Sequence, residues 1–183
     1  MKLIVGLGNP GKEYENTRHN TGFIVLENFR KKHFPAEEWR FEKKFNAEII
    51  FIKDCFKGTP LKKAHPLFLL LMRPLTFMNN SGEAVVKAST YYKIAPKDIV
   101  VIHDDLDIPL GEFRLQKGRG AAGHHGVESV IKALGTKDFW RLRVGINGPL
   151  RRECNDDAKF VLESFHTPGV YNVLLIRPCS WDL

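Results

Sequence analysis

Apolar positions in this chain alternate between short dense runs and longer stretches in which they recur every three or four residues. Lys2-Leu-Ile-Val-Gly6 is β-branched, apolar and closed by glycine, which predicts a buried strand opening onto a loop that runs to about Thr17. Asn16 and Thr17 are good N-cap residues, and Phe23, Leu26 and Phe29 follow at helical spacing, placing His19 in the first turn of a helix. Ala47 to Ile52 and Leu67 to Met72 are further apolar runs around a Lys-, Gly- and Pro-rich stretch, predicting adjacent strands in a hairpin, the second ending at Pro74. Asn80-x-x-Glu83 has the form of a capping box, with Val85, Ala88 and Tyr92 spaced as a helix before Pro96. Ile99 to Ile102 predicts a strand ending in His103-Asp-Asp-Leu-Asp107. A helix carrying Val127, Val130, Ile131 and Leu134 follows the Gly118–Gly126 loop. Arg141 to Ile146 predicts a strand and Asp156 to Phe165 a helix.

Strands and helices that interleave in this way define an α/β domain. In open α/β sheets the ligand site lies beyond the carboxyl ends of the strands, where Asn9, Arg73, Asn79 and Asp104 all fall. A single shared cleft is therefore expected.

At 183 residues the chain suits one domain, spanning 1–183, and 43% hydrophobic with 27% charged residues is an ordinary globular composition. No apolar stretch approaches the ~20 residues of a membrane span, and no signal peptide is expected. Cys55, Cys154 and Cys179 are odd in number and widely spaced, which points to neither a disulfide framework nor a metal knuckle and fits a reducing cytoplasm. The net charge of +7 favours polyanionic partners. Arg114, Lys117, Arg119, Arg141, Arg143, Arg151 and Arg152 gather beside the second half of the expected site.

Gly6-Leu-Gly8-Asn-Pro-Gly11 matches a dinucleotide-binding fingerprint, but that motif needs a helix starting within the glycines. Pro10-Gly11 and the polar 12–16 stretch delay the helix, and Glu27 lies in a helix rather than at a second strand end. His19 has the pKa range for proton transfer, and a helix start favours its neutral form. Asp104 or Asp105 can fix its tautomer, while Asn9 and Asn79 can hold a carbonyl oxygen. No Gly-x-Ser-x-Gly elbow is present, so water rather than serine is the expected nucleophile. A metal on His103, Asp104, Asp105 and Asp107 is disfavoured because side chains alternate along a strand.

The chain resembles bacterial-type peptidyl-tRNA hydrolases, which cleave the ester between a peptide and tRNA. The resemblance rests on Val5-Gly-Leu-Gly-Asn-Pro-Gly11, Tyr14-x-x-Thr17-Arg-His-Asn20-x-Gly22, Arg73-Pro-Leu-Thr-Phe-Met-Asn79-x-Ser-Gly82, His103-Asp104-x-Leu-Asp107, Gly123-His124-x-Gly126 and Arg141-Leu-Arg-Val-Gly-Ile146, in order over about residues 1–165. It implies a monomer with a twisted mixed β-sheet surrounded by helices, no cofactor or metal, and attack by activated water on peptidyl-tRNA held by its acceptor end. By the same resemblance His19 is the base, Asp104 orients it, Asn9 and Asn79 bind the acyl-ester end, and Tyr14 and Met78 line the cleft.

Three positions depart from the family pattern. His125 stands where asparagine usually follows Gly-His and is expected to contact substrate or water. Gln116 replaces a usual basic residue, so tRNA phosphates are expected to fall to Arg114, Lys117 and Arg119, with Arg143 alongside. The 166–183 tail, broken by Pro168-Gly169 and Pro178, replaces an expected long helix, which predicts lower stability or a dimer in place of the monomer. These departures also motivate an alternative: an RNA-binding or splicing-accessory protein on the same fold without efficient catalysis.

Overall fold

The computed structural model describes residues 1–53, 68–154 and 156–165. Cys55, Cys179, the tail 166–183 and the side chain of Arg152 lie outside the described part.

Among the described residues seven strands form one mixed sheet in the order β2-β3-β4-β1-β5-β7-β6. Its parallel centre consists of β4 (Leu69–Pro74), β1 (Lys2–Gly6), β5 (Ile99–Pro109) and β7 (Trp140–Asn147). β2 (Arg40–Glu42) and β3 (Ala47–Ile52) extend it antiparallel at one edge, and β6 (Phe113–Lys117) at the other. The expected hairpin is present, with Ala47 opposite Pro74 and Ile52 opposite Leu69.

Strand alternation divides the core into two layers. Leu3, Val5, Leu70, Met72, Ile99 and Val101 face α2 (Ser81–Tyr91) and α3 (His125–Leu134). Ile4, Leu69, Leu71, Ile102, Leu142 and Val144 face α1 (Thr21–His33) on the other side. α1 buries Gly22, Val25, Leu26 and Phe29. Phe23, expected in that stripe, is half-buried and lies against Gly8 instead.

Close backbone approach accounts for two glycines. A β-carbon at Gly22 would collide with the Leu7 amide and the Ile102 carbonyl, so α1 sits on the end of β1 and on β5 at Ile102 only because this side chain is missing. Gly82 similarly admits the Ser129 carbonyl where α2 crosses α3.

Several local expectations change. α1 begins at Thr21, after a 3-10 turn at Arg18–Asn20, so His19 precedes the α-helix rather than lying inside it. The Asn80–Glu83 capping box does not form: Asn80 occupies the N-cap of α2 but makes no side-chain cap bond, because a 3-10 turn at Met78–Asn80 leads into the helix. β5 runs on through the polar His103–Asp107 stretch, which pairs with β7 alone once β1 has ended at Gly6 opposite Ile102. α4 is shorter than expected, Asp157–Leu162, with Asp156 capping it through the Lys159 amide.

Candidate active site

Because β1 stops at Gly6 while β5 continues, elements from both faces of the sheet meet over the end of β1. The 3-10 turn before α1 brings His19 from one side, and the N-cap of α3 brings His124 from the other. Both converge on Asp104, which is 3% exposed. His19 Nδ1 lies 3.1 Å from each carboxylate oxygen of Asp104, and His124 Nε2 lies 3.0 Å from Oδ1.

Hydrogen bonding assigns the protons on these rings. His124 Nδ1 accepts from the amides of Gly126 at 3.1 Å and Val127 at 3.3 Å, so its ring proton sits on Nε2 and is donated to Asp104. A carboxylate has only acceptors to offer, so His19 donates from Nδ1 and keeps Nε2 as its basic nitrogen. Burial alone would raise the Asp104 carboxyl. The adjoining His124 and His19 imidazoles more than offset it and hold the group well below the usual carboxylate range.

Ligand atoms of His19, Asp104 and His124 lie within 4.8 Å of one another, a spacing compatible with a metal. The donors do not fit one: His124 Nε2 carries a proton that its backbone partners prevent from moving to Nδ1, and a protonated nitrogen has no lone pair for a cation.

A second buried polar cluster lies beside this triad. The Asn9 amide donates to Asn20 Oδ1 at 2.8 Å, Asn20 Nδ2 returns a bond to the Asn9 carbonyl at 3.0 Å, and Asn9 Oδ1 accepts from the Met78 amide at 2.8 Å. Three separate segments are thereby fixed together, with Asn9 Nδ2 left as its side-chain donor.

A cavity of about 390 Å³ opens from His19 and Asp104. Leu106 and Asp107 of β5, the Ala122–His125 stretch, and Ala158, Val161 and Leu162 of α4 line it. Its lining does not include Asn9, Tyr14, Met78 or Asn79. Met78 is buried beside Gly126, Tyr14 is half-buried, and Asn79 is exposed on its turn. His125 stands at the mouth with a side chain 76% exposed and Nδ1 3.9 Å from Glu128.

The basic residues divide into two groups. Arg114, Lys117 and Arg119 are exposed, Lys117 pairing with Asp138 at 3.1 Å. Arg143 is 12% exposed and bonded to both Asp105 oxygens at 2.6 and 3.0 Å and to Gln116 Oε1 at 2.9 Å. Arg143, expected as a phosphate ligand, has its charge paired with Asp105 and links β5 to β6 through Asp105 and Gln116. Gln116 supplies an acceptor here that a basic residue would lack.

Sequence reasoning assigned no role to Asn20, His124 or Arg18, although each lies within a quoted motif. The one available signal for His124 was its position just before a helix, where a side-chain acceptor can cap the first amides.

An imidazole oriented by a buried carboxylate, set over the end of β1 in an α/β sheet, is the machinery of a water-activating hydrolase. A family model described as peptidyl-tRNA hydrolase matches residues 3–173. Curated peptidyl-tRNA hydrolases from Desulfitobacterium hafniense and Aquifex aeolicus are 42% and 43% identical over 165 residues each. Those matches cover 90% of this chain and 80% and 78% of the relatives. The crystal structure of peptidyl-tRNA hydrolase from Acinetobacter baumannii superposes with a TM-score of 0.76 at 33% identity, covering 95% of this chain and 80% of that one. The chain belongs to the peptidyl-tRNA hydrolase family.

Proposed function

We propose that this protein hydrolyses the ester joining a peptide to the terminal ribose of tRNA, with water activated by Nε2 of His19. The observation that carries the mechanism is the proton assignment around Asp104: with His124 fixed as a donor, His19 has one tautomer in which it satisfies the carboxylate, and that tautomer leaves a base toward the cavity.

Water gives a proton to His19 Nε2 as its oxygen bonds to the ester carbonyl carbon. The tetrahedral intermediate then collapses, the bond from carbon to the ribose oxygen breaks, and that oxygen takes the proton from His19. The products are a peptide with a free carboxyl group and tRNA with its hydroxyl restored. Asp104 stabilises the imidazolium formed between the two transfers. His19 and water carry every proton in this scheme.

Asn9, through Nδ2, and Asn79 hold the acyl-ester end, with Tyr14 and Met78 shaping the approach and His125 meeting substrate at the rim. Exposed Arg114, Lys117 and Arg119 take tRNA phosphates through contacts that read no sequence, as an enzyme accepting many tRNAs requires. The reading places the protein in the cytoplasm as a monomer; among the described residues no helix is long and apolar enough to cross a membrane. Curated relatives named for the hydrolase favour the enzyme over the RNA-binding accessory reading.

Hydrolysis of N-acetyl-aminoacyl-tRNA in ¹⁸O-water tests the reaction. One labelled oxygen is expected in the released N-acetyl-amino acid and none in the tRNA; label in the ribose, or binding without release, overturns the proposal.

A further inference from the structure

The cavity wall made by α4 rests on a residue that the mechanism leaves without a task. α4 makes its main packing contact with the Arg18–Asn20 turn, immediately beside His19. Arg18 is the centre of that contact and is 3% exposed. Its Nη1 donates to the Phe160 carbonyl at 2.7 Å and to Glu163 Oε2 at 3.1 Å, and its guanidinium lies 3.9 Å from the centre of the Phe160 ring.

The backbone reinforces the contact. The Arg18 amide donates to the Glu163 carbonyl at 3.0 Å, the Phe165 amide to the Asn16 carbonyl at 3.1 Å, and Thr17 forms a bridge with Ser164. The Arg18 carbonyl in turn accepts from Thr21 Oγ1 at 2.6 Å, tying the same residue to the first turn of α1.

A buried cation stays in place only when paired and fully hydrogen-bonded, and here the pairing partners all belong to the α4 segment. We infer that Arg18 is a positioning residue: it docks α4 against the catalytic turn and thereby fixes how far Ala158, Val161 and Leu162 stand from His19 across the cavity. Resting on the hydrolase reading, this makes Arg18 the residue that shapes the α4 side of the cavity facing His19. Arginine suits the position because Nη1 bonds a carbonyl and a carboxylate while the planar guanidinium lies over Phe160; a lysine ammonium can donate to the same acceptors but has no planar face to stack.

Loss of these bonds lowers the fraction of molecules with α4 docked, and the apparent substrate affinity falls by that fraction. With hydrogen bonds to a charged group at stake, Arg18→Gln is expected to raise KM for N-acetyl-aminoacyl-tRNA on the order of tenfold. Turnover should stay within about threefold and the pH midpoint of kcat should not move, because His19 and Asp104 remain in place. Hydrogen exchange read on the same protein should show residues 157–163 losing protection while β1 and β5 keep theirs. Arg18→Lys should fall between wild type and Arg18→Gln.

Glu163→Gln alters only a surface carboxylate and gives the same direction at smaller size should Arg18→Gln not fold. Unchanged KM together with unchanged α4 protection overturns the proposal. So does a fall in kcat with a shifted pH profile at constant KM, which would make Arg18 a partner of His19. If the wild-type protein does not cleave the substrate, the hydrolase reading fails, while the exchange data still decide whether Arg18 docks α4.

Discussion

Replacing Asp104 by asparagine tests the proton assignment more sharply than deleting the side chain. The amide has one acceptor and one donor end, whereas the carboxylate accepts from both imidazoles. His124 cannot adapt, since the Gly126 and Val127 amides at 3.1 and 3.3 Å hold its proton on Nε2. The oxygen of the substituted amide must therefore face His124. Its N–H then turns toward His19 Nδ1, which in the wild type lies 3.1 Å from both carboxylate oxygens. His19 satisfies that donor only as the Nε2–H tautomer, with a proton where the base should be. Inverting a catalytic histidine in this way costs about 10⁴-fold in a serine protease, and each tenfold corresponds to about 1.4 kcal/mol of barrier. We expect Asp104→Asn to lower the single-turnover rate on N-acetyl-aminoacyl-tRNA by about 10³- to 10⁴-fold. Tight tRNA binding should persist, and ¹⁵N spectra should show the His19 proton on Nε2. Adding His124→Leu removes the constraint that orients the amide and should recover part of the loss. A variant within tenfold of wild type, or one whose His19 keeps its proton on Nδ1, would refute this reasoning.

Other consequences follow from the same geometry. Burial, with the neighbouring His124 ring, pushes His103 down to about 3 from its ordinary 6.5. The unfolded chain binds a proton near pH 6.5 that the fold refuses, so stability is fully present above that pH and falls with acid by about 1.4 kcal/mol per pH unit toward pH 3. Urea titrations at pH 7 and 5.5 should show a smaller loss for His103→Phe than for wild type; equal losses contradict the neutral burial. Gly22→Ala places a methyl against the Leu7 and Ile102 backbones and should cost about 3 kcal/mol, lowering Tm on the order of 10 °C; a normal melting curve would show that α1 can shift outward. Arg119→Ala should reduce the slope of log affinity against log salt for tRNA by about one. Arg143→Ala should instead reduce stability, because its charge is spent on Asp105; the reverse pattern would restore Arg143 as a phosphate ligand.

The strand pattern was legible because runs such as Leu3-Ile-Val5 and Ile99-Val-Val-Ile102 are buried on both faces and leave no alternative period. β6 was not legible: Phe113–Lys117 is an edge strand, mostly exposed, whose only strand partner among the described residues is β7. Asn80 and Glu83 had capping-box spacing, but the 3-10 turn ahead of them supplied a different entry to the helix. At the site, residue types pointed to His19 as base and to Asp104 or Asp105 as orienter, the family resemblance implied Asp104, and the approach of His19 and Asp104 across 85 positions required the fold. His124 stayed hidden because its task depends on which nitrogen faces the α3 amides, and residue spacing carries no information about that. The pairing of Arg143 could not be read from a charge count, because only the register of β5, β6 and β7 brings Asp105 and Gln116 to it.

The central claim is that Nε2 of His19 is the base, and wild type against His19→Ala on N-acetyl-aminoacyl-tRNA tests it most directly, with tRNA affinity measured on the same preparations. Rapid release by wild type, loss of release in the variant and unchanged tRNA binding are the predicted results. Release that persists in His19→Ala, or wild-type protein that binds tRNA and leaves the ester intact, would contradict it.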